Sequence, residues 1–564
     1  MKTFAWILCL MSINVLKAQV DRYDVLIHEI MADPSPIVGL PNAEFIELKN
    51  ISGKTIDLFR FKIDNGSTSA TVSSSYLLLP DSMVVLCSRT QTIFFGDLKT
   101  IGLSSFPALG NEGDLITLKA PDGKTIHAVA YQSDWYSNPV KANGGWSLEM
   151  IDPLQPCAGD NWTASLDAKG GTPGKENSVV KMASGSHPLQ GLQCITLSAD
   201  KLLLKLDQGV DSISALSNQY YQLIGINAKT SLVKIMAPLF RDIELTLDKK
   251  LEPEKIYTLM ASGLKHCRSN RTDTLSIRTG ILKDPIKGDL VINEILFDPP
   301  SDGSDFVEIR NNSKSVINAK GLLLAPKNEW GVLGNGYTLS SDHFNIFPGE
   351  AVAFSTDTGF IRYHWKSSPP AHLIQTGSLP SLADDKGHIV LLNAKAEMVD
   401  ELKYTDDMHF PLIKDRSAVS LERVNPFAPS SFLSNWQSAA ASARHGTPGQ
   451  ENSQYLQSDS LDATIIISPN VMSPNNDGKD DLLQISYQFE IDGYMMNAYL
   501  LNERGQFLCK LVDNQLCGTR GDFYWNGLRN NQRLPDGLYI IMTEMMRMNA
   551  KPLRFRKLIG IRSG

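Results

Sequence analysis

The sequence lacks most of the signatures from which an enzyme or a nucleic-acid binder is read. It has no basic block. Its 54 Lys and Arg stand against 61 Asp and Glu, a formal charge of −7, so nucleic acid is a poor default partner. There is no CxxC pair, no phosphate loop and no nucleophile elbow. The ten histidines are scattered. His28 sits in HEIMA without the second His of a zinc motif, and His364 and His372 form only a loose pair. Beyond the N-terminus no stretch stays apolar for the ~18 residues a membrane helix needs. No segment sustains a helical period, which leaves strands as the building material.

The N-terminus has its own texture. Lys2 is followed by an apolar run from Phe4 to Leu16, and Ala18 precedes Gln19-Val20. Residues 1–18 read as a secretory signal peptide, cleaved near Ala18. Losing Lys2 and Lys17 with it takes the formal charge from −7 to −9. Of seven cysteines, Cys9 lies in that leader. The six that remain are an even count in an exported chain, which points to disulfides without fixing their pairing. Local pairing gives Cys194 with Cys267 and Cys509 with Cys517. Cys87 with Cys157 has a further argument: a second copy of this region carries Ser355 and Ser430 at those places, so both partners are absent together. Free buried thiols are the alternative.

That second copy is the main feature of the chain. DVLIHEIMADPSPIVGLPNAEFIELKN, from Asp24 to Asn50, returns as DLVINEILFDPPSDGSDFVEIRN, from Asp289 to Asn311. Each has a strand with a Glu-Ile pair, a Pro- and Asp-rich turn, and a second strand closing on Asn. The endings repeat as well: SLEMIDP, NWTAS and GTPGKENS against SLERVNP, NWQSA and GTPGQENS. A duplicated domain is the direct reading. Val25, Ile27 and Glu29 alternate with Leu26, His28 and Ile30, which predicts one face for each set. Pro121-Asp122-Gly123 between two apolar runs predicts a hairpin.

The predicted division is residues 22–180 for the first repeat unit, 181–282 for a middle domain, 286–455 for the second unit and 465–564 for a last domain. A mostly polar linker covers 456–464. The middle segment reads as six or seven short strands with polar turns, a β-sandwich of immunoglobulin type. The fold class is all-β, with tandem Ig-like sandwiches.

The motifs VLIHEIMADP with EFIELKN, and LVINEILFDPP with DFVEIRN, resemble the bacterial lamin-tail domain family. The Trp162 and Trp436 segments fit its extended bacterial form. The resemblance implies an Ig-like sandwich and, for most members, no enzymatic activity. In the last domain SPNNDGKDD, LLNERGQ, FYWNG and LPDGLYI resemble the FlgD-like and gliding-motility C-terminal modules of Bacteroidota secreted proteins. That resemblance implies the type IX secretion machinery as a partner. The ending RFRKLIGIRSG departs from the commonest sorting tails, so a plain sandwich cap stays open.

Several residues are candidates for chemistry. Glu29 and Glu47 recur as Glu294 and Glu308. Glu47 shares strand parity with Phe45, and Glu308 with Phe306, so each carboxylate faces an apolar side. A buried carboxylate needs partners. The choice is between a metal or ligand site and a hydrogen-bonded tie between strands, and the tie is favoured. Asp33, Asp298, Asp302 and Asp305 lie in turns that suit calcium or plain turn chemistry. Asn475, Asp477 and Asp481 are the best metal candidate, a partial calcium loop around Gly478. Gln484 stands where an EF-hand would place its bidentate Glu. Trp135, Tyr136, Trp146, Trp330, Tyr363 and Trp365 lie in loop-like stretches, suited to glycan or protein contact or to covering core ends.

The expectation from sequence is a non-catalytic, exported adhesion or scaffold protein at the cell surface or in the extracellular space. Its partners would be a surface protein or glycan, with calcium as the one candidate cofactor. The alternative is an accessory or catalytic component of an exported metal-dependent hydrolase, a phosphoesterase or nuclease.

Overall fold

In the computed structural model, the described residues are 20–180, 188–268, 271–366, 368–411, 413, 415–455, 464–475, 477–548 and 551–562. The predicted signal peptide lies outside them, as does most of the predicted linker. Strands hold 44% of the chain and helices 8%, so the protein is all-β. Among the described residues no helix is long and apolar enough to cross a membrane. The chain divides into two compact units, 1–251 with 256–279, and 252–255 with 280–564.

The first unit opens with a two-sheet sandwich. One sheet orders its strands Trp162–Ala164, Leu148–Met150, Val25–Met31, Phe45–Asn50, Met83–Ser88 and Thr100–Leu103. The other orders Thr125–Gln132, Gly113–Lys119, Lys62–Asp64 and Ser69–Thr71. Ile46, Leu48, Val84 and Leu86 of the first sheet share one core with Ile116, Leu118, Ile126 and Val129 of the second. The hairpin at Pro121-Asp122-Gly123 forms as expected, with Gly123 at φ +87° supplying the left-handed position. A two-stranded ladder pairs Ile56–Asp57 with Leu77–Leu78, and residues beyond the sandwich form one ladder of seven strands, in the order Gly191–Ser198, Lys201–Leu206, Asp242–Leu247, Ala228–Met236, Tyr221–Ile224, Ile256–Lys265 and Thr272–Gly280.

The second unit repeats the first sandwich. Its six-stranded sheet runs Leu373–Gln375, Ala351–Ser355, Phe306–Asn311, Leu290–Leu296, Leu421–Arg423 and Trp436–Ser438. Its four-stranded sheet runs Tyr337–Thr338, Leu323–Pro326, Lys386–Leu392 and Met398–Thr405. A last sandwich follows, with three strands (Thr464–Ser468, Leu483–Gln488, Arg520–Trp525) and five (Val471–Met472, Leu553–Ile561, Gly537–Met546, Met495–Asn502, Phe507–Leu516). Its core joins Leu483 and Ile485 to Met496, Leu500, Ile541 and Ile559.

The simple alternation expected of Val25–Met31 does not hold. The register slips between Ile27 and Glu29, and again between Ile292 and Glu294. A bulge inserts one residue, His28 or Asn293, and switches the parity. In the second repeat Leu290 and Ile292 face the core before it, and Ile295 and Phe297 after it. Glu294 and Leu296 are turned to the outer face. There Leu296 packs with Phe306, Ala353, Ile361 and Trp365 in a cluster separate from the core.

The cysteine pairing differs from all three expectations. Cys157 bonds Cys267, while Cys87, Cys194, Cys509 and Cys517 form no disulfide. Cys87 sits opposite Phe45 on the outer face, among Met31, Val85 and Phe95. Cys194 is buried, with its carbonyl accepting from the Thr279 hydroxyl at 2.8 Å. Cys517 is buried in the last core and Cys509 is half-buried beside it. The joint absence at Ser355 and Ser430 was therefore not the mark of a bridge. Cys157 pairs with the seven-stranded region that follows its repeat.

Candidate functional site: a sealed carboxylate row in each repeat

The four glutamates singled out in the sequence belong to two rows of three. Glu29 lies opposite both Glu47 and Glu149, on three adjacent strands. Glu294 lies opposite both Glu308 and Glu422. All six are fully buried, on the outer face of the six-stranded sheet. What buries them is the repeated ending. The GTPGKENS and GTPGQENS segments cross the row and donate into it.

In the first repeat Ser147 Oγ donates to Glu29 Oε1 at 2.6 Å, and the Thr172 N–H donates to the same oxygen at 2.8 Å. Thr172 Oγ1 donates to Glu149 Oε1 at 2.9 Å, and Ser178 Oγ to Glu149 Oε2 at 2.7 Å. The Gly174 N–H donates to Glu47 Oε2. Glycine is required where the segment comes closest: a Cβ on Gly171 would stand 2.6 Å from Glu29 Oε1 and 2.7 Å from Ser147 Oγ. Asn177 Nδ2 then ties two strands, donating to the His28 and Met150 carbonyls at 2.9 Å each.

The second repeat reproduces the scheme. Ser420 Oγ and the Thr447 N–H donate to Glu294 Oε1. The Gly449 N–H donates to Glu308 Oε2 at 2.6 Å, and the bulged Asn293 donates through Nδ2 to Glu308 Oε1 at 2.7 Å. Ser453 Oγ and the Gln454 N–H hold Glu422 Oε2 at 2.9 and 2.8 Å. Asn452 Nδ2 donates to the Asn293 and Arg423 carbonyls at 2.9 Å each. Thr447 Oγ1 stands 3.0 Å from Glu294 Oε2 and 2.8 Å from Glu422 Oε1. A hydroxyl has one proton to give, so one of these carboxyls brings the other.

Burial is the main cause that raises Glu29, Glu47, Glu294, Glu308 and Glu422. It pushes Glu47 and Glu308 up to about 8. It raises Glu29 and Glu294 well above the usual carboxylate range, with neighbouring carboxylates adding to the effect. Glu422 is raised by burial too. His28, the bulged residue of the first repeat, is driven down to about 4 by burial, and its Nδ1 lies 3.3 Å from Glu47 Oε1. Lys49, two residues along the strand from Glu47, pairs with Glu176 at 2.7 Å.

The other candidates are placed as follows. Asp33 caps its own turn, accepting from the Ser35 N–H at 3.1 Å, and accepts from Asn111 Nδ2 at 2.9 Å. Asp305 is pushed up to about 7 by burial, with Asp384 and Asp298 nearby. Asp302 is exposed. Among the described residues no three His, Cys, Asp or Glu side chains are grouped to share a metal ion. Asn475, Asp477 and Asp481 do meet in one exposed turn. Their oxygens accept from its own amides: Asp481 takes the Asn475 and Gly478 N–H groups at 2.9 and 2.7 Å, and Asp477 takes that of Lys479 at 2.8 Å. Of the aromatics, Tyr136 and Trp365 are buried, Trp135 stacks on Trp162, and Lys141 Nζ lies 4.2 Å over Trp146. Trp330 and Tyr363 stand 85% and 80% exposed. His372 Nδ1 bonds the Gly449 carbonyl at 2.8 Å, and His364 packs on Trp365.

Sequence reading missed Glu149, Glu422 and the two threonines. The signal was present in SLE and GTPG, which recur in both copies, but those landmarks spoke only of duplication.

The Lamin Tail Domain family model matches residues 19–133 and 284–406, one region in each repeat. Both matches stop before the third glutamate and the sealing segment. No curated protein matches the chain. Solved structures overlap it only loosely. The N-terminal part of the bacterial S-layer protein SbsC is 12% identical, over 39% of this chain and 44% of that one, with a TM-score of 0.16. SGBP-B of the Bacteroides ovatus mixed-linkage glucan utilization locus is 10% identical, over 68% of each chain, with a TM-score of 0.13. The human Desmocollin-1 ectodomain is 9% identical, over 89% and 72%, with a TM-score of 0.13. The chain spans 44% to 55% of the length of the SbsC structures it matches. Overlaps this slight carry no functional argument.

Proposed function

We propose that the chain is a non-catalytic, exported scaffold or adhesion protein that works at the cell surface or outside the cell. Two lamin-tail sandwiches (22–180 and 286–455) alternate with an Ig-like domain (181–282) and a secretion-type sandwich (465–564). The observation that carries this reading is the sealing of both carboxylate rows. Their acids are fully buried and accept from backbone, hydroxyl and amide donors, with Glu29 Oε2 left without one, so they act as ties between strands and the closing segment rather than as groups open to a substrate. Surface loops on a rigid scaffold are then the working parts. Type IX secretion machinery would act through the last domain. Calcium in the Asp477 turn is a smaller proposal: it predicts a melting temperature raised by calcium in wild type and not in Asp477→Ala.

Two measurements test the reading. Full-length protein and a version ending at Thr464 are compared in a native-type host by surface protease accessibility. Only the full-length form should reach the surface. Purified protein is also assayed with a phosphodiester and a divalent metal. Hydrolysis that disappears in Glu29→Gln or Glu294→Gln overturns the non-catalytic reading.

A further inference from the structure

The two repeats differ at one face. In each, the bulge leaves a backbone N–H that a side chain from the other sheet must accept. His127 Nδ1 takes the Ile27 N–H at 2.9 Å in the first repeat, and Asp400 Oδ2 takes the Ile292 N–H at 2.9 Å in the second. Around His127 the face is closed. The loop carrying Pro156 and Cys157 lies over it, and the seven-stranded region sits on that loop. The Cys157–Cys267 bond, the Gly209 N–H donating to the Cys157 carbonyl at 3.3 Å, and Arg22 stacked 3.4 Å over Phe240 hold it there. A turn of that region, with Pro238 and Leu239, lines what remains, a cavity of about 60 Å³.

Around Asp400 the same face is open. Ser430 stands where the first repeat has Cys157, and the domain that follows attaches elsewhere. Its contacts are Ser442 with Tyr487 at 2.7 Å, Phe410 with Met495 and Leu516, and the Thr519 N–H with the Ser453 carbonyl at 2.9 Å. What is left is a cleft of about 660 Å³. Lys287, Lys327, Lys403 and Arg423 line it against only Asp400 and Glu401. Arg423 is 3% exposed and its Nε has no partner. Phe427 stands at the rim, 72% exposed.

We infer that this cleft is a docking site for a second copy of the chain, which enters with the acidic turn carrying Asp477, Asp480 and Asp481. The inference rests on the scaffold reading and names the partner. In the first repeat this face already receives a turn from a β-domain. Lys327 pairs with Glu401 at 2.9 Å and Arg423 with Asp400 at 2.8 Å, so Lys287 and Lys403 are the cleft's surplus positive charge, against a turn with three carboxylates and Lys479. Asp477 and Asp481 already accept from amides of the turn, which lowers the ordering cost of docking these two side chains. A contact between two different faces of one chain is heterologous, so it builds head-to-tail assemblies larger than dimers.

The test is sedimentation velocity of the full chain in EDTA, from about 1 μM to about 1 mM, the range of weak protein contacts. Wild type should associate at low salt and lose mass at about 1 M salt, where the Debye length is about 3 Å. The exposed pair Lys287→Glu with Lys403→Glu should weaken association at least about tenfold, as should Asp477→Lys with Asp481→Lys. Mixing these two double variants should restore a complex, since a basic turn then meets an acidic cleft. Unchanged melting of each variant guards against misfolding. Wild type that stays monomeric throughout, or association untouched in Lys287→Glu/Lys403→Glu, overturns the inference. So does a monomer that binds polygalacturonate through the same lysines, which assigns the cleft to an acidic glycan. None of these outcomes alters the surface-accessibility or hydrolysis tests, so failure here is separable from failure of the scaffold reading.

Discussion

His127 and Asp400 answer the same structural demand with opposite chemistry. Burial drives the His127 imidazole down to about 4, so it is neutral, with Nδ1 accepting from Ile27 and Nε2 facing the Pro156 carbonyl at 3.2 Å. Nothing charged needs compensation there. Asp400 needs a partner, and Arg423 supplies it at 2.8 Å while also donating to the Ile292 carbonyl at 3.1 Å and the Ala428 carbonyl at 2.6 Å. Met150 occupies the position of Arg423 in the first repeat, paired with Trp162 as Arg423 is with Trp436. One bulge thus tolerates a neutral acceptor or an ion pair, provided the set is exchanged whole.

The largest expected effect comes from breaking that set. Arg423→Met leaves the half-buried Asp400 carboxylate with the Ile292 N–H but without its cation, and should cost about 3–5 kcal/mol of the second unit's stability. Adding Asp400→His, which installs the first repeat's solution, should recover most of the loss in a denaturant titration. No recovery would mean that the two sites are not equivalent. Next is the disulfide. Cys157→Ser should lower the first unit's stability by about 2–4 kcal/mol and leave the second unit's calorimetric transition in place. Smaller again is the threonine pair. Thr447→Val removes a hydroxyl shared by two carboxyls and should cost about 2–3 kcal/mol, against about 1–1.5 for Thr172→Val, which serves one.

The gentlest effect is a slope with pH. Glu47 and Glu308, raised to about 8, bind protons more tightly folded than unfolded, as do Glu29, Glu294 and Glu422. For Glu47 and Glu308 this contribution is complete below the ordinary carboxylate range and fades as pH rises through about 8; the other three act in the same direction. Glu308→Gln should flatten that alkaline loss in the second unit's melting. His28 and His127, lowered to about 4, act the other way: stability falls as pH drops from about 6.5 toward 4. His28→Asn, the residue of the second repeat, should remove part of the first unit's acid loss.

Much of the architecture was legible because it rests on local pattern. Phe45–Asn50, the Pro121-Asp122-Gly123 hairpin and the duplicated endings all declare themselves over a few residues. The bulge did not, because an inserted His28 in an apolar strand reads as unbroken alternation. The third glutamate was hidden by distance: Glu149 joins Glu29 only after the sheet is folded. The disulfide was misread for a related reason. Cys267 lies outside the repeat, so comparing the copies could not point to it.

The segment that seals each row is the last part of its repeat to be made. Glu29 waits 143 residues for the amide of Thr172, and Glu294 waits 153 for that of Thr447. In a chain that emerges N-terminus first, the first two acids of each row therefore precede the segment that covers them by more than a hundred residues. A fragment cut at residue 133 or 406 never receives that ending and lacks the strand of the third glutamate as well. The repeat is thus a unit of assembly longer than its recognisable sequence, and its final ten residues report that the rest has arrived.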